Sequence, residues 1–290
     1  MGKIYVFNSY YNIIEVIDID RFALEKEILI KSKFSVSPHP IYMNMVDNKK
    51  NVINYKVGTI MDLESTEEIY ISKGIISFYQ FKRRLFFLSE ECSSLVICDK
   101  DTKEIEEIIP VGGTPFSMTF DRRREMLIIT DVSNNFINIY DINTGKIKKI
   151  QSGLNPTKAL FSTGGEYLIV CESAMEKEIN GSISIISSNN FKTLDRIMVG
   201  VTPYDIYISG DGCIVSNLGE GSIKIIDLKK RKEIKTYFVG GIPSDISYYN
   251  ENIYYCDKLS NSIVKLNINN GEKRKINFKG EPKGIFLSQQ

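Results

Sequence analysis

The sequence predicts an all-β chain built as a closed ring of seven four-stranded antiparallel sheets, on three observations. First, six of the eight prolines, Pro40, Pro115, Pro156, Pro203, Pro243 and Pro282, are spaced by 75, 41, 47, 40 and 39 residues. The long gap is close to two periods, and near its middle Lys73-Gly74-Ile75-Ile76-Ser77-Phe78 supplies a seventh anchor, with Ile76 in the proline's place. Second, the apolar runs are short, β-branched and aromatic, and bounded by Gly, Asn, Asp and Pro, which is strand chemistry; no helical stripe runs over eleven residues. Third, the two chain ends are complementary. Residues 282–288 read as a first strand with nothing after it, and residues 3–30 as a second, third and fourth strand with no first. A period of about 40 residues holding four short strands is the blade of a β-propeller, and seven anchors mean seven blades.

Each blade opens on a Gly-x-Pro or Gly-x-x-Pro turn. The first strand follows, as in Pro115–Phe120, Pro156–Phe161, Pro203–Ile208 and Pro282–Leu287. A turn such as Asp121–Arg124, Ser162–Gly165 or Ser209–Gly212 leads to the second strand: Met126–Thr130, Tyr167–Cys171, Ile253–Cys256. The third strand ends in Asp or Asn, as in Phe136–Asp141, Ser222–Asp227 and Ser262–Asn267. Second and third strands are almost wholly apolar, as strands covered on both faces must be. Fourth strands carry charge (Lys148, Lys149; Lys232, Glu233, Lys235; Lys273, Arg274, Lys275), which suits an outer edge that must not pair with other chains. The pattern is weakest over residues 40–74. The terminal segments join as one blade, so residues 1–290 are expected to form a single domain.

Composition narrows the class further. The chain has 290 residues, 42% hydrophobic and 25% charged, with a formal net charge of +1. That excludes a disordered or collagen-like chain and a wholly basic nucleic-acid binder. No apolar run approaches the roughly 18 residues of a membrane span. The N-terminus lacks a signal-peptide core. Five cysteines, Cys92, Cys98, Cys171, Cys213 and Cys256, form no CxxC and mostly sit in apolar runs, as small hydrophobes in a reducing compartment do. The expected location is cytoplasmic.

The stretches Gly200-Val-Thr-Pro203, Asp211-Gly212, Cys213-Ile-Val-Ser-Asn217 and Ile223-Lys-Ile-Ile-Asp227 resemble the repeat of the YVTN-type β-propeller family, the surface-layer-like or lactonase-like seven-bladed propellers. The resemblance spans essentially the whole chain. It implies the fold; the family includes binding modules, scaffolds and enzymes, so it implies no single activity. With no Trp in the chain, WD-type repeats fit less well.

Two residue columns fall where a propeller carries its sites. Just after the second strand stand Asn8, Ser89, Asp131, Glu172, Asn217 and Asp257; two residues past the anchors stand Tyr42, Phe78, Ser117, Lys158, Asp205, Asp245 and Gly284. Asp131, Glu172, Asn217, Asp257, Asp205, Asp245 and Lys158 are therefore the candidate ligand-binding residues at the mouth of a central channel. Their oxygens can hold a hard cation such as Ca²⁺, with Glu172, Asp205 and Asp245 the candidate ligands; no other cofactor is expected. Equally, Asn and Asp at such positions bond their own turns. His39, the sole histidine, lies on a loop without a partner for a zinc site. GxSxG, HExxH, P-loop and GxGxxG patterns are missing.

The fifth blade carries a longer connection, residues 172–181, and unique loops on a rigid repeat often bind. Tyr10-Tyr11 lies in an equivalent loop. At the opposite end, Arg122, Arg123 and Arg124 offer a contact for a polyanion, diluted by nearby carboxylates. The leading expectation is a non-enzymatic binding or scaffold protein that presents these loops to a protein or small ligand. The alternative is a hydrolase or lactonase that depends on a divalent cation held by the acids at the channel mouth.

Overall fold

A computed structural model describes residues 2–175 and 179–288. Among these residues there is no helix, so none is long and apolar enough to cross a membrane. In chain order the strands are β1 (Lys3–Asn8), β2 (Ile13–Asp18), β3 (Ala23–Leu29), β4 (Pro40–Val46), β5 (Lys49–Asn54), β6 (Thr59–Asp62), β7 (Glu68–Tyr70), β8 (Ile75–Phe81), β9 (Arg84–Ser89), β10 (Ser94–Asp99) and β11 (Ile105–Pro110). Then come β12 (Pro115–Asp121), β13 (Met126–Asp131), β14 (Phe136–Asp141), β15 (Lys146–Gln151), β16 (Pro156–Phe161), β17 (Tyr167–Glu172), β18 (Asn180–Ser187) and β19 (Thr193–Val201). The last are β20 (Pro203–Ser209), β21 (Gly212–Asn217), β22 (Ser222–Asp227), β23 (Lys232–Phe238), β24 (Pro243–Tyr249), β25 (Asn252–Asp257), β26 (Ser262–Asn267), β27 (Lys273–Asn277) and β28 (Ile285–Ser288). They form seven four-stranded antiparallel sheets; six follow chain order, and the seventh has the order β28-β1-β2-β3.

The chain divides into two compact units, residues 1–112 with 252–290, and residues 113–251. In the first, β28 completes the sheet begun by β1, with Lys3 opposite Ser288 and Val6 opposite Ile285. The pairing begins at Ile285, three residues beyond Pro282, because Lys283 and Gly284 bond Phe7 at the strand's entry. Apolar side chains of neighbouring sheets interdigitate, as in Ile53, Phe78, Phe87 and Val96. In the second unit the same role falls to Ile169, Ile183, Ile206 and Val215. Second and third strands are buried almost throughout, whereas β3 and β11 are largely exposed. Coverage on both faces explains the first pattern, and the outer edge explains the second. Burial also pushes the Cys98 thiol up to about 11 and the Cys171 thiol to about 12.

Acidic or amide residues end the third strand in six sheets for a local reason. Asp141 Oδ1 accepts the amides of Asn143 (2.9 Å) and Thr144 (3.0 Å). Asp18, Asp62, Asp99, Asp227 and Asn267 receive the amides of their own turns in the same way. These are Asx turns, in which the side chain satisfies backbone donors that the hairpin leaves unpaired. Replacement of Asp141 by Ala should lower stability by about 1 kcal/mol, the net value of such bonds. Asp141→Asn should stay near the wild type, since Asn267 fills the same seat. Urea unfolding midpoints of the two variants check this; equal midpoints for both would show that the turn does not need the acceptor.

One register expectation is corrected. Ile75, not Ile76, occupies the proline's place in the third sheet. Ile75 lies opposite Ser89 as Pro115 lies opposite Asp131, and each pair is followed by a bulge. The residue two past that anchor is therefore Ser77, not Phe78. The same bulge follows Pro40, Pro156 and Pro203. It adds one residue to the first strand and breaks the two-residue alternation there.

Candidate functional site

In the second unit the first strands β16, β20 and β24 bring two of the expected residues together. Lys158 Nζ lies 2.5 Å from Asp205 Oδ1. Asp205 is 8% exposed. Its Oδ1 also accepts the amide of Ile206 at 2.9 Å, and its Oδ2 accepts the amide of Ile246 at 2.8 Å. The carboxylate thus joins three consecutive sheets: a cation from β16, its own strand β20, and a backbone donor from β24. Asp245, immediately before Ile246, sits in the left-handed region with φ 46°.

Asp131, Glu172, Asn217 and Asp257 stand at the ends of second strands and bond turns and strands of their own sheets. Asp131 Oδ1 accepts the amides of Thr114 (3.1 Å) and Asn134 (3.2 Å) and the Ser133 hydroxyl, while Oδ2 accepts Asn134 Nδ2 at 2.8 Å. Glu172, 3% exposed, accepts the Gly153 amide at 2.7 Å, the Ser182 hydroxyl at 2.7 Å and Arg196 Nε at 3.0 Å. Asn217 donates to Ser222 Oγ at 3.0 Å. In the first unit, Asp257 accepts the Leu259 amide at 3.1 Å and the Ser260 hydroxyl at 2.5 Å. These contacts also account for the glycine of the anchor turn. A Cβ at Gly113 would stand 2.1 Å from Asp131 Oδ1, and one at Gly153 would stand 2.3 Å from Glu172 Oε2. Among the described residues no three His, Cys, Asp or Glu side chains gather as metal ligands. The proposed trio Glu172, Asp205 and Asp245 is therefore not assembled as a cluster, and Glu172 and Asp205 already hold both oxygens in protein bonds.

Bulge residues form a feature that the two-residue strand pattern does not signal. Phe116 of β12 and Tyr204 of β20 meet edge to face at 5.8 Å, although β16 separates their strands. Both are half-buried. Alternation places the residue after each anchor on the wrong face, and only the recurring bulge reveals it.

A buried carboxyl in the first unit was also absent from the expected set. Glu15 of β2 is 2% exposed and accepts Asn8 Nδ2 on Oε1 at 3.2 Å, while its Oε2 is buried without a hydrogen bond. Burial raises its pKa to about 7, against the opposing effect of the Asn8 bond. His39 is half-buried with φ 58°, its amide held by Asn12 Oδ1 at 3.1 Å. Partial burial and the Lys56 charge hold its imidazole below the ordinary range.

Two of the three arginines at the other hairpin ends, Arg123 and Arg124, make internal contacts. Arg123 Nη2 donates to the Gly164 carbonyl at 2.9 Å, and Arg124 pairs with Asp121 at 2.7 Å, bonds the Gly165 carbonyl and lies 4.2 Å above the Phe161 ring. Lys229 pairs with Asp211 and Lys230 with Asp227.

Sheets, bulges and interlocking anchors define a seven-bladed β-propeller. Solved structures carry the same fold. A functionally unknown protein from Desulfotomaculum acetoxidans superposes with a TM-score of 0.79 over 99% of both chains at 12% identity. Streptogramin B lyase matches with a TM-score of 0.71 at 15% identity, covering 87% of this chain and 89% of its own. Apo AztD from Citrobacter koseri matches with a TM-score of 0.70 at 11% identity, covering 99% of this chain and 97% of its own. No family model matches the sequence, and neither does any curated protein sequence.

Proposed function

We propose that the chain is a non-enzymatic binding propeller that takes a protein partner on the loops between its second and third strands. One observation carries this reading: the long connection of the fifth sheet is clamped, and it holds apolar side chains in water. Asn155 organises it. Its carbonyl accepts the Ser173 amide at 3.0 Å, and its Oδ1 accepts the Met175 amide at 3.1 Å. The Leu154 carbonyl accepts the Ala174 amide at 3.2 Å. Leu154, Met175 and Ile179 are 38%, 39% and 50% exposed. Residues 176–178 of the expected 172–181 loop lie outside the described residues. A preorganised apolar patch lowers the entropic cost of binding and is the usual core of a protein interface. In the first unit, exposed Tyr10, Phe34 and Val36 stand on two connections that Asn12 ties together, which suits the same use.

The cation-dependent hydrolase reading has less support, because Asp131, Glu172, Asp205 and Asp257 are engaged by backbone amides, hydroxyls and basic side chains. Streptogramin B lyase shows that an enzyme can use this fold, and that remains a statement about that protein. Free cysteines, four of them buried, fit a reducing, cytoplasmic setting.

A photo-crosslinking residue at position 175 or 179, with one at Lys146 as control, tests the proposal in cells. Capture of one defined partner at 175 and 179, absent at 146 and lost in Leu154→Asp, is the expected result. Equal capture at all three positions would overturn it. So would turnover of an ester or lactone that requires Ca²⁺ and falls in Asp205→Asn.

A further inference from the structure

We propose a binding site for a small phosphorylated molecule on the outer part of the first unit, in a cavity of about 230 Å³ lined by Asn252, Lys265, Asn267, Glu272 and Arg274. Lys265 and Arg274 stand directly opposite each other on β26 and β27. Like charges in that position oppose strand pairing. Among the described residues neither has an ion-pair partner. Their charges rest instead on aromatic rings: Lys265 Nζ lies 6.0 Å from the Phe22 and Tyr254 centroids, and the Arg274 guanidinium lies 5.7 Å from Phe22.

The support beneath the two cations is rigid. Phe22 is 3% exposed and Tyr254 1% exposed, with their centroids 6.0 Å apart. Phe22 adopts φ 48°, which is rare for an aromatic residue and directs the ring of the β2–β3 turn under β26 and β27. Arg274 Nη2 also donates to the Arg21 carbonyl at 3.3 Å, which fixes the guanidinium against that turn. Asn267 Nδ2 is held by Asn252 Oδ1 at 3.3 Å, so the far wall is ordered as well.

Two preplaced cations against one carboxylate, Glu272, leave the cavity with net positive charge. A phosphate monoester matches this arrangement. Its dianion can bridge an ammonium and a guanidinium, and the planar fork of Arg274 suits two phosphate oxygens at once. The volume lies below the range of pockets for drug-sized molecules, which restricts the ligand to the scale of a glycerol or sugar phosphate. Glu272 then faces the hydroxyl-bearing end and disfavours ligands with a second anionic group.

Titration calorimetry on the intact protein, with inorganic phosphate, glycerol 3-phosphate and citrate as separate probes, tests the site. Saturable binding of glycerol 3-phosphate, competed by inorganic phosphate and weakened by salt, is expected. Lys265→Met and Arg274→Met should each weaken it about tenfold or more, the size of one lost charge-assisted hydrogen bond. Arg274→Lys, which keeps the charge and loses the fork, should fall between. Lys148→Met is the control, since Lys148 also lies over a ring, that of Phe191 at 4.2 Å, in the other unit. The proposal is overturned by an absence of saturable phosphate binding, by citrate binding that phosphate does not displace, or by equal affinity in the Lys265 and Lys148 variants.

Discussion

Asp205→Ala should destabilise the protein by about 3 kcal/mol, near the lower end for breaking a buried ion pair. The variant strands the Ile246 amide, loses the acceptor for Ile206 and breaks the ion pair with Lys158. Lys158 keeps 29% of its side chain exposed and can partly rehydrate, which holds the effect near 3 kcal/mol. Asp205→Asn retains an oxygen for Ile246 and should cost about half as much. A double-mutant cycle with Lys158→Met isolates the pair, and a coupling of about 1–2 kcal/mol is expected for groups in contact. Urea unfolding is the measurement. An Asp205→Ala midpoint equal to the wild type would show that the carboxylate is not a stitch between sheets, and would return it to the list of ligand-binding residues.

Glu15 should make the protein less stable in mild alkali. An unfolded glutamate titrates near 4.5, whereas the folded carboxyl titrates at about 7. The folded chain therefore holds the proton more tightly. Its contribution is complete below about pH 4.5 and is lost as pH rises through about 7. At 1.36 kcal/mol per pH unit, the loss comes to about 3 kcal/mol by pH 8. Exposed Glu27, opposite Glu15 on β3, adds a smaller repulsion in the same direction. Glu15→Gln should flatten this part of the profile and raise the pH 8 melting temperature, while Glu27→Gln should shift it only slightly. At the acid end the sign reverses. Turn amides hold Asp18 down to about 2, so its contribution is present above about pH 4 and is lost as pH falls through 2. A melting profile that stays level from pH 5 to 8 in the wild type would refute the assignment for Glu15.

Much of this molecule can be read along the chain because its information is local and repeated. The prolines, the β-branched runs and the Asp or Asn closing each third strand act within a few residues, so Asp141 caps its own turn wherever that turn lies. Charge on the fourth strands marks an outer edge by the same short-range logic. The anchor of the third sheet shows where this ends. Ile75 and Ile76 are equivalent as side chains, and only pairing with Ser89 decides which one takes the proline's seat.

Chemistry at the candidate sites was decided by tertiary structure. Glu172, Asp131 and Asp205 look alike in sequence as acids near strand ends. One holds an anchor-turn amide with an arginine, one caps its own loop, and one links three sheets. Lys265 on a third strand and Arg274 on a fourth read as ordinary strand charges until Phe22, from the opposite end of the chain, is placed beneath them. By itself the sequence determined the number of sheets, their strand order and their turns, because hydrophobic period and turn chemistry are properties of contiguous residues. Which carboxylates are consumed and which cations are left over was decided only when neighbouring sheets packed, because a charged group's state depends on donors and rings that reach it from remote positions in the chain.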